Sequence, residues 1–366
     1  MRIGIVGVGL LGGSLAAALK NTWGNEVELT AISSERTLAK ARKLPIFSNF
    51  YTYEAITEAA QQLDVLYLCT PILTILDHIK LLSHTPALSS TLVISDVGST
   101  KQVIMQAAEE ALGHRSDMVF IGGHPMAGSE FKGIDAIEPS LYENAIYVLT
   151  PPANAHDEHV NRLLNIVKAV GAIPIVMEPS RHDRVAAGIS HLPQMMATGL
   201  VDYISKDDNV ALSKTMAAGG FRDMTRIASS QYKMWADIVA TNKLNILDMI
   251  DGYINQLNLM KEAIENNSLE PMFDNAARTR DSIPKGTKGM MQSYYDIRIS
   301  VQDKPGTILR VSTILAEENI NIKDISVIKS REREGGHFLL SFATEQDCIT
   351  AEKLLQFHGY YARKVE

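Results

Sequence analysis

Short apolar, β-branched runs recur through the first half of the chain, at residues 3–6, 27–32, 65–69, 92–96, 118–121, 145–149 and 173–177, with helix-spaced apolar positions between them. Runs that are apolar at every position suit strands covered on both faces. The alternation therefore predicts a parallel sheet flanked by helices over residues 1–178. From about 181 to 280 the strand signal is gone. There Trp235, Ile238, Asn242, Ile246, Ile250, Tyr253, Leu257, Met260 and Ile264 share one face of a single long predicted helix. That face has more apolar surface than neighbouring elements can cover, which predicts a helical substrate and dimerisation domain over 179–284 and a homodimer. Residues 285–293, rich in lysine and glycine, lack an apolar period and read as a linker. The remainder, 294–366, runs strand, turn, helix, strand, strand, helix, strand, the order of a ferredoxin-like split βαβ unit.

The expected fold is thus α/β at the N-terminus, of Rossmann type, then all-α, then a small α+β domain. A chain of 366 residues is too long for one ordinary core, and 46% apolar residues can fill several. A net charge of −7 leaves no basic face for a phosphate backbone, so nucleic acid is not an expected partner. Two cysteines, Cys69 and Cys348, suit neither a disulfide framework nor a metal cluster and fit a reducing cytoplasm. The chain opens directly on an apolar strand, and no apolar stretch reaches membrane-spanning length, so export and membrane insertion are not expected.

Gly7-Val8-Gly9-Leu10-Leu11-Gly12 follows the first predicted strand and opens an amphipathic helix, the context in which this pattern binds a dinucleotide. Gly7 permits a tight turn, Gly9 lets backbone approach a pyrophosphate, and Gly12 allows close helix packing. Leu10, Leu11 and Thr70 complete the expected contact set there. The second strand ends in Ala31-Ile32-Ser33-Ser34-Glu35-Arg36, without the aspartate that would bind ribose hydroxyls. Ser33, Ser34 and Arg36 would hold a 2′-phosphate and favour NADP, whereas Glu35 would reach a ribose and favour NAD. NAD is the expected cofactor, and NADP stays open.

A dehydrogenase needs a group that accepts a proton as hydride departs, and neutral histidine suits that task near pH 7. His124, in Gly122-Gly123-His124-Pro125-Met126-Ala127-Gly128-Ser129-Glu130, lies just past a predicted strand end, where open α/β sheets place ligands. With Asp96-Val97-Gly98-Ser99-Thr100-Lys101, Ser190-His191-Leu192-Pro193 and Gly219-Gly220-Phe221-Arg222-Asp223-Met224-Thr225-Arg226-Ile227-Ala228, the segment resembles the prephenate dehydrogenase family across about residues 1–280. The resemblance implies NAD(P)-dependent oxidative decarboxylation of prephenate in tyrosine biosynthesis. It implies that His124 draws the proton of the substrate C4 hydroxyl, that Ser99 adds a second hydrogen bond there, and that Arg226 holds a substrate carboxylate. Ser99 also reads as the cap of the following helix, and Arg226 as an ion-pair partner of Asp223. His191 is implied in the pocket wall, Glu130 at its gate, and Arg222 stands where a lysine is common. Gln194 replaces a second histidine found in some relatives, which favours prephenate over the ammonium-bearing arogenate. His182 reads as a structural histidine beside Asp183.

Residues 294–366 resemble an ACT domain, a module that binds amino acids. Asp303, Pro305 and Gly306 at the first strand-to-helix turn, with Asn319 and Ile320, are the implied effector contacts, and tyrosine the implied effector. The competing readings are a β-hydroxyacid dehydrogenase and a non-catalytic amino-acid sensor.

Overall fold

The computed structural model of the chain describes residues 1–128, 131–283, 294–302, 304–329 and 335–365. Glu130, Asp303 and the predicted linker 285–293 lie outside them. The chain forms two compact units, residues 1–275 and 276–366.

In the first unit six strands, β1 (Arg2–Val6), β2 (Glu28–Ile32), β3 (Asn49–Tyr51), β4 (Val65–Leu68), β5 (Leu92–Asp96) and β6 (Met118–Phe120), pair in parallel in the order β3-β2-β1-β4-β5-β6. The helices α1 (Leu10–Trp23), α2 (Glu35–Ala41), α3 (Ile56–Ala60), α4 (Ile72–Leu82), α5 (Gln102–Leu112) and α6 (Asp157–Ala169) connect and cover them. Two apolar cores result. Ile3, Ile5, Leu29 and Tyr67 pack with Leu15 and Leu19 on one side, and Val6, Leu66, Leu68 and Ile94 pack with Ile75, Ile79 and Ile104 on the other. Burial on both sides explains why the charged residues of these strands, Arg2, Glu28 and Asp96, fall at strand ends. The order reverses direction between β1 and β4, and the crevice beyond the carboxyl ends of those two strands is where such sheets bind ligands.

The parallel sheet does not take in the later strands. A separate sheet comprises β7 (Gly122–Pro125), β8 (Ile146–Thr150) and β9 (Ile173–Val176), with β7 antiparallel to β8 and β9 parallel to it. His124 therefore sits within a strand, opposite Val148, rather than in a loop.

The helical part holds α7 (Pro179–Ala186), α8 (Leu192–Ser205), α9 (Val210–Met216), α10 (Gly219–Thr225), α11 (Tyr232–Thr241), α12 (Lys243–Glu265) and α13 (Glu270–Ser282). The single helix expected over 235–264 is broken at Asn242, which leaves helical geometry at φ −124° and ψ 26°. Its buried side chain bonds outside its own helix, so tertiary partners override a continuous apolar period. Between α7 and α8 the backbone widens into a π-helical turn, Ala187–His191.

In the second unit β10 (Tyr295–Gln302), α14 (Thr307–Glu317), β11 (Ile322–Lys329), β12 (Gly335–Phe342), α15 (Glu345–Phe357) and β13 (Tyr361–Lys364) form a four-stranded sheet ordered β11-β12-β10-β13. All three pairings are antiparallel. Its core joins Ile297, Ile299, Leu340 and Phe342 to Val311 and Leu315 of α14 and to Cys348, Ala351 and Leu355 of α15.

Candidate active site

The glycine loop lies at the β1/β4 crevice. Gly7 has φ 92°, donates its N–H to Ile32 O at 2.8 Å, and approaches Cys69 so closely that a Cβ would stand 2.8 Å from that carbonyl oxygen. A Cβ on Gly12 would meet Gly7 O at 2.4 Å, so only glycine lets α1 begin this near the strand. Gly9, by contrast, faces open space beside the start of α1. Across the crevice the Thr70 hydroxyl is buried and has no partner among the described residues. An open backbone cradle at a helix start with an unpaired hydroxyl beside it fits a dinucleotide pyrophosphate. Leu10 and Leu11 form the first turn of α1, pinned by the Tyr142 hydroxyl, which donates to Leu11 O at 2.8 Å. At the end of β2, Ser33 is buried against Tyr53 OH at 3.3 Å, while Ser34 and Arg36 are exposed.

Asp96, at the end of β5, organises the next layer. Its carboxylate accepts from Gly98 N–H at 2.8 Å, from Gly123 N–H at 2.9 Å and from the Lys101 ammonium. Lys101 also donates to Gly123 O at 2.8 Å, and both side chains are fully buried. Gly123 is thus gripped by its N–H and its carbonyl at once, and a Cβ there would stand 2.5 Å from Asp96 O. One carboxylate fixes the backbone next to Ser99 and the backbone next to His124. Desolvating both charges offsets much of their attraction, so a buried ion pair of this kind is weak evidence of stability. Burial pushes the Lys101 ammonium below the usual lysine range, and Asp96 opposes that shift. Ser99 is half-buried and does not cap α5: the cap position is Lys101, and the first N–H groups go elsewhere.

They go to Asp183. On α7, Asp183 Oδ1 accepts from Lys101 N–H at 2.7 Å and Oδ2 from Gln102 N–H at 2.9 Å. Its Oδ1 also lies 2.8 Å from His182 Nδ1, and His182 Nε2 lies 2.8 Å from His124 Nδ1. The sequence reading of His182 as merely structural missed this contact. The half-buried His124 is held well below the ordinary histidine range by burial first and then by the nearby His182, Lys101 and His191, so it is neutral at pH 7.

His191, at the end of the π-helical turn, is buried edge-on to Trp235, and burial lowers it to about 4. Asn242 ties it in, its amide nitrogen lying 2.8 Å from Asp183 O and 3.2 Å from His191 Nδ1. Gln194 is buried and donates to Thr198 Oγ1 at 3.2 Å and to Ile227 O at 3.0 Å, which anchors the turn Arg226–Ser229. Arg222 and Arg226 are both exposed. The arrangement supplies a neutral base with a lone pair, a hydroxyl one backbone step from a shared anchor, and two exposed guanidinium groups that can meet an anion.

The nucleotide-binding domain of prephenate dehydrogenases matches residues 15–176, their dimerization domain residues 178–277, and the ACT domain residues 295–347. The chain belongs to the prephenate dehydrogenase family. It is 36% identical to the prephenate dehydrogenase of Bacillus subtilis, over 98% of this chain and 96% of that one. To the enzyme of Lactococcus lactis it is 32% identical, over 97% of each. A crystal structure of Aquifex aeolicus prephenate dehydrogenase in complex with hydroxyphenyl propionate and NAD+ matches with a TM-score of 0.70 and 31% identity, over 77% of this chain and 98% of that one. Synechocystis arogenate dehydrogenase matches with a TM-score of 0.68 and 30% identity, over 77% of this chain and 99% of that one.

In the second unit Gly306 adopts φ 85° at the start of α14, and it and Pro305 are exposed. Asn319 has φ 56° and ends α14, and Ile320 is buried in the core.

Proposed function

We propose that the chain oxidises prephenate to 4-hydroxyphenylpyruvate and CO2 with NAD as hydride acceptor. The observation that carries this reading is the neutral His124, fixed by the Asp96–Lys101 grip on Gly123, in a chain of this family. His124 accepts the proton of the C4 hydroxyl, and Ser99 hydrogen-bonds the same oxygen. Bound NAD takes the hydride from C4. Arg226 binds a substrate carboxylate, with Arg222, His191 and Gln194 around the pocket; the gate role implied for Glu130 falls outside the described residues. Loss of the ring carboxylate makes the ring aromatic, which drives the reaction, so the protein has mainly to align and polarise. The neutral Gln194 and the names of the relatives that span the whole chain favour prephenate over arogenate.

Domain limits of 1–178, 179–284, 285–293 and 294–366 accompany this proposal. Homodimerisation through the helical domain is supported by its exposed apolar side chains, among them Leu244 at 82%, Tyr203 at 75% and Met216 at 72% exposure. Tyrosine is the proposed effector of the ACT domain, its carboxylate on the amides at Gly306, and the cytoplasm the proposed compartment. Among the described residues no helix is long and apolar enough to cross a membrane.

Steady-state kinetics with prephenate test the assignments. His124→Asn should lower kcat by roughly 10²- to 10⁴-fold with NAD affinity unchanged, and Arg226→Ala should chiefly raise KM. Unaltered kcat in the first, or unaltered KM in the second, removes that residue from its role.

A further inference from the structure

His124, His182 and Asp183 form one line of hydrogen bonds, 2.8 Å at each of its two steps, that ends on a carboxylate. Asp183 is 1% exposed and His182 2%, so no solvent competes for these contacts. The Asp183 carboxylate is anchored independently by two backbone N–H groups at the start of α5. It can only accept, so His182 must present Nδ1–H to it, and the His182 Nε2 lone pair then faces His124. His124 Nδ1 must in turn carry hydrogen, and its Nε2 lone pair is left for substrate. The same carboxylate places an anion at the end of the line.

We propose that His182 and Asp183 are positioning residues that select the active tautomer of His124 and take up the charge of the proton it accepts. The proposal rests on the reading of His124 as the base. In the reacting complex the C4–H bond breaks as hydride and the O–H proton goes to His124 Nε2. The His124 Nδ1 proton shifts toward His182 Nε2, whose Nδ1–H stays on Asp183. When the C1 carboxylate leaves as CO2, its electron pair completes the aromatic ring. The proton then returns along the same path to the phenolate oxygen, so no net proton is lost. This explains how a histidine whose burial disfavours its charged form still serves as a base: the charge need not rest on His124 alone. The other charged or titratable groups around the two rings are Lys101 and Asp96 from the β5–α5 segment and His191 from the π-helical turn. From the α11–α12 side come neutral Asn242 and Trp235.

Asp183→Asn tests the idea, because it removes the carboxylate charge from the end of the line and leaves no anion to share the proton that His124 accepts. The full-length variant should lose on the order of 10²- to 10⁴-fold in kcat, while KM for prephenate and NAD affinity stay within about threefold. Removal of the anion leaves less to favour positive charge along the line, so the acidic limb of kcat/KM should move to lower pH. A kcat within threefold of wild type, beside an inactive His124→Asn control, overturns the relay and leaves the base assignment standing. An active His124→Asn overturns the base assignment itself. A kcat loss matched by equal losses in NAD affinity and Tm, with the acidic limb unmoved, makes Asp183 a helix cap and also overturns the relay. Nitrogen-15 spectra of histidine-labelled wild-type enzyme give the tautomers without any substitution that affects folding. Nδ1–H on both His124 and His182 supports the relay, and Nε2–H on His124 contradicts it.

Discussion

The Asn242 side-chain nitrogen lies 2.8 Å from the Asp183 carbonyl oxygen and 3.2 Å from His191 Nδ1, at the one residue that separates α11 from α12. The break in the helix and the arrangement of the site are therefore the same feature. Replacing Asn242 by alanine removes a buried amide that bonds the Asp183 carbonyl and contacts His191 Nδ1, which should cost about 1 to 3 kcal/mol of stability. It should also lower kcat by loosening α7. Thermal unfolding and turnover measured together check this, and an unchanged Tm would show that the buried amide contributes nothing.

Gly12 is the most crowded point of the cofactor loop, with Gly7 O 2.4 Å and Ile5 Cγ2 2.8 Å from where a Cβ would stand. Gly12→Ala must push α1 away from β1. We expect NAD affinity to fall by at least tenfold and stability by about 1 to 3 kcal/mol. Titration of NAD against protein fluorescence gives the answer, and wild-type affinity would mean that α1 need not start so close to the strand.

Stability should depend on pH through His191. The unfolded chain takes up its proton near the ordinary histidine value, but the folded chain holds off until about 4. The unfolded state therefore binds more protons between those values, so the stabilisation is full above pH 6.5 and is lost as pH falls toward 4. At pH 5 the loss is on the order of 2 kcal/mol. Tm measured from pH 8 to 4.5 should fall accordingly, and the slope should be shallower in His191→Asn. Equal slopes would place the proton uptake elsewhere.

The proposed effector role of the second unit predicts that a chain ended at residue 290 keeps prephenate turnover and loses inhibition by tyrosine. The match of Aquifex aeolicus prephenate dehydrogenase, nearly whole, to 77% of this chain is the reason to expect that turnover survives. Inhibition of the shortened enzyme at the same tyrosine concentration would put the effector in the active site instead.

Strands β1, β2, β4 and β5 are legible in the sequence because both of their faces are buried, which leaves mainly apolar runs. β7 is not, because Gly122-Gly123-His124-Pro125 has no alternation. Its extended form is imposed by Asp96 and Lys101, which precede Gly123 by 27 and 22 residues. The glycine loop was readable since Gly7 and Gly12 each answer a local steric demand and Gly9 leaves the backbone open. The network behind His124 was not, since His182 lies 58 residues beyond it and a histidine beside an aspartate on a helix looks like an ordinary structural pair. Likewise the period from Trp235 to Ile264 has no interruption at Asn242, whose partners belong to α7 and the π-helical turn. Ser99 before a helix suggested a cap, but that role is taken by Asp183 from another element.

The most direct measurement is the rate of reduced-cofactor formation, followed by absorbance, with prephenate or arogenate each paired with NAD or NADP. The account predicts strong turnover with prephenate and NAD, and weaker rates in the other three pairings. Folded protein that is silent with prephenate and NAD, or that prefers arogenate, would contradict it.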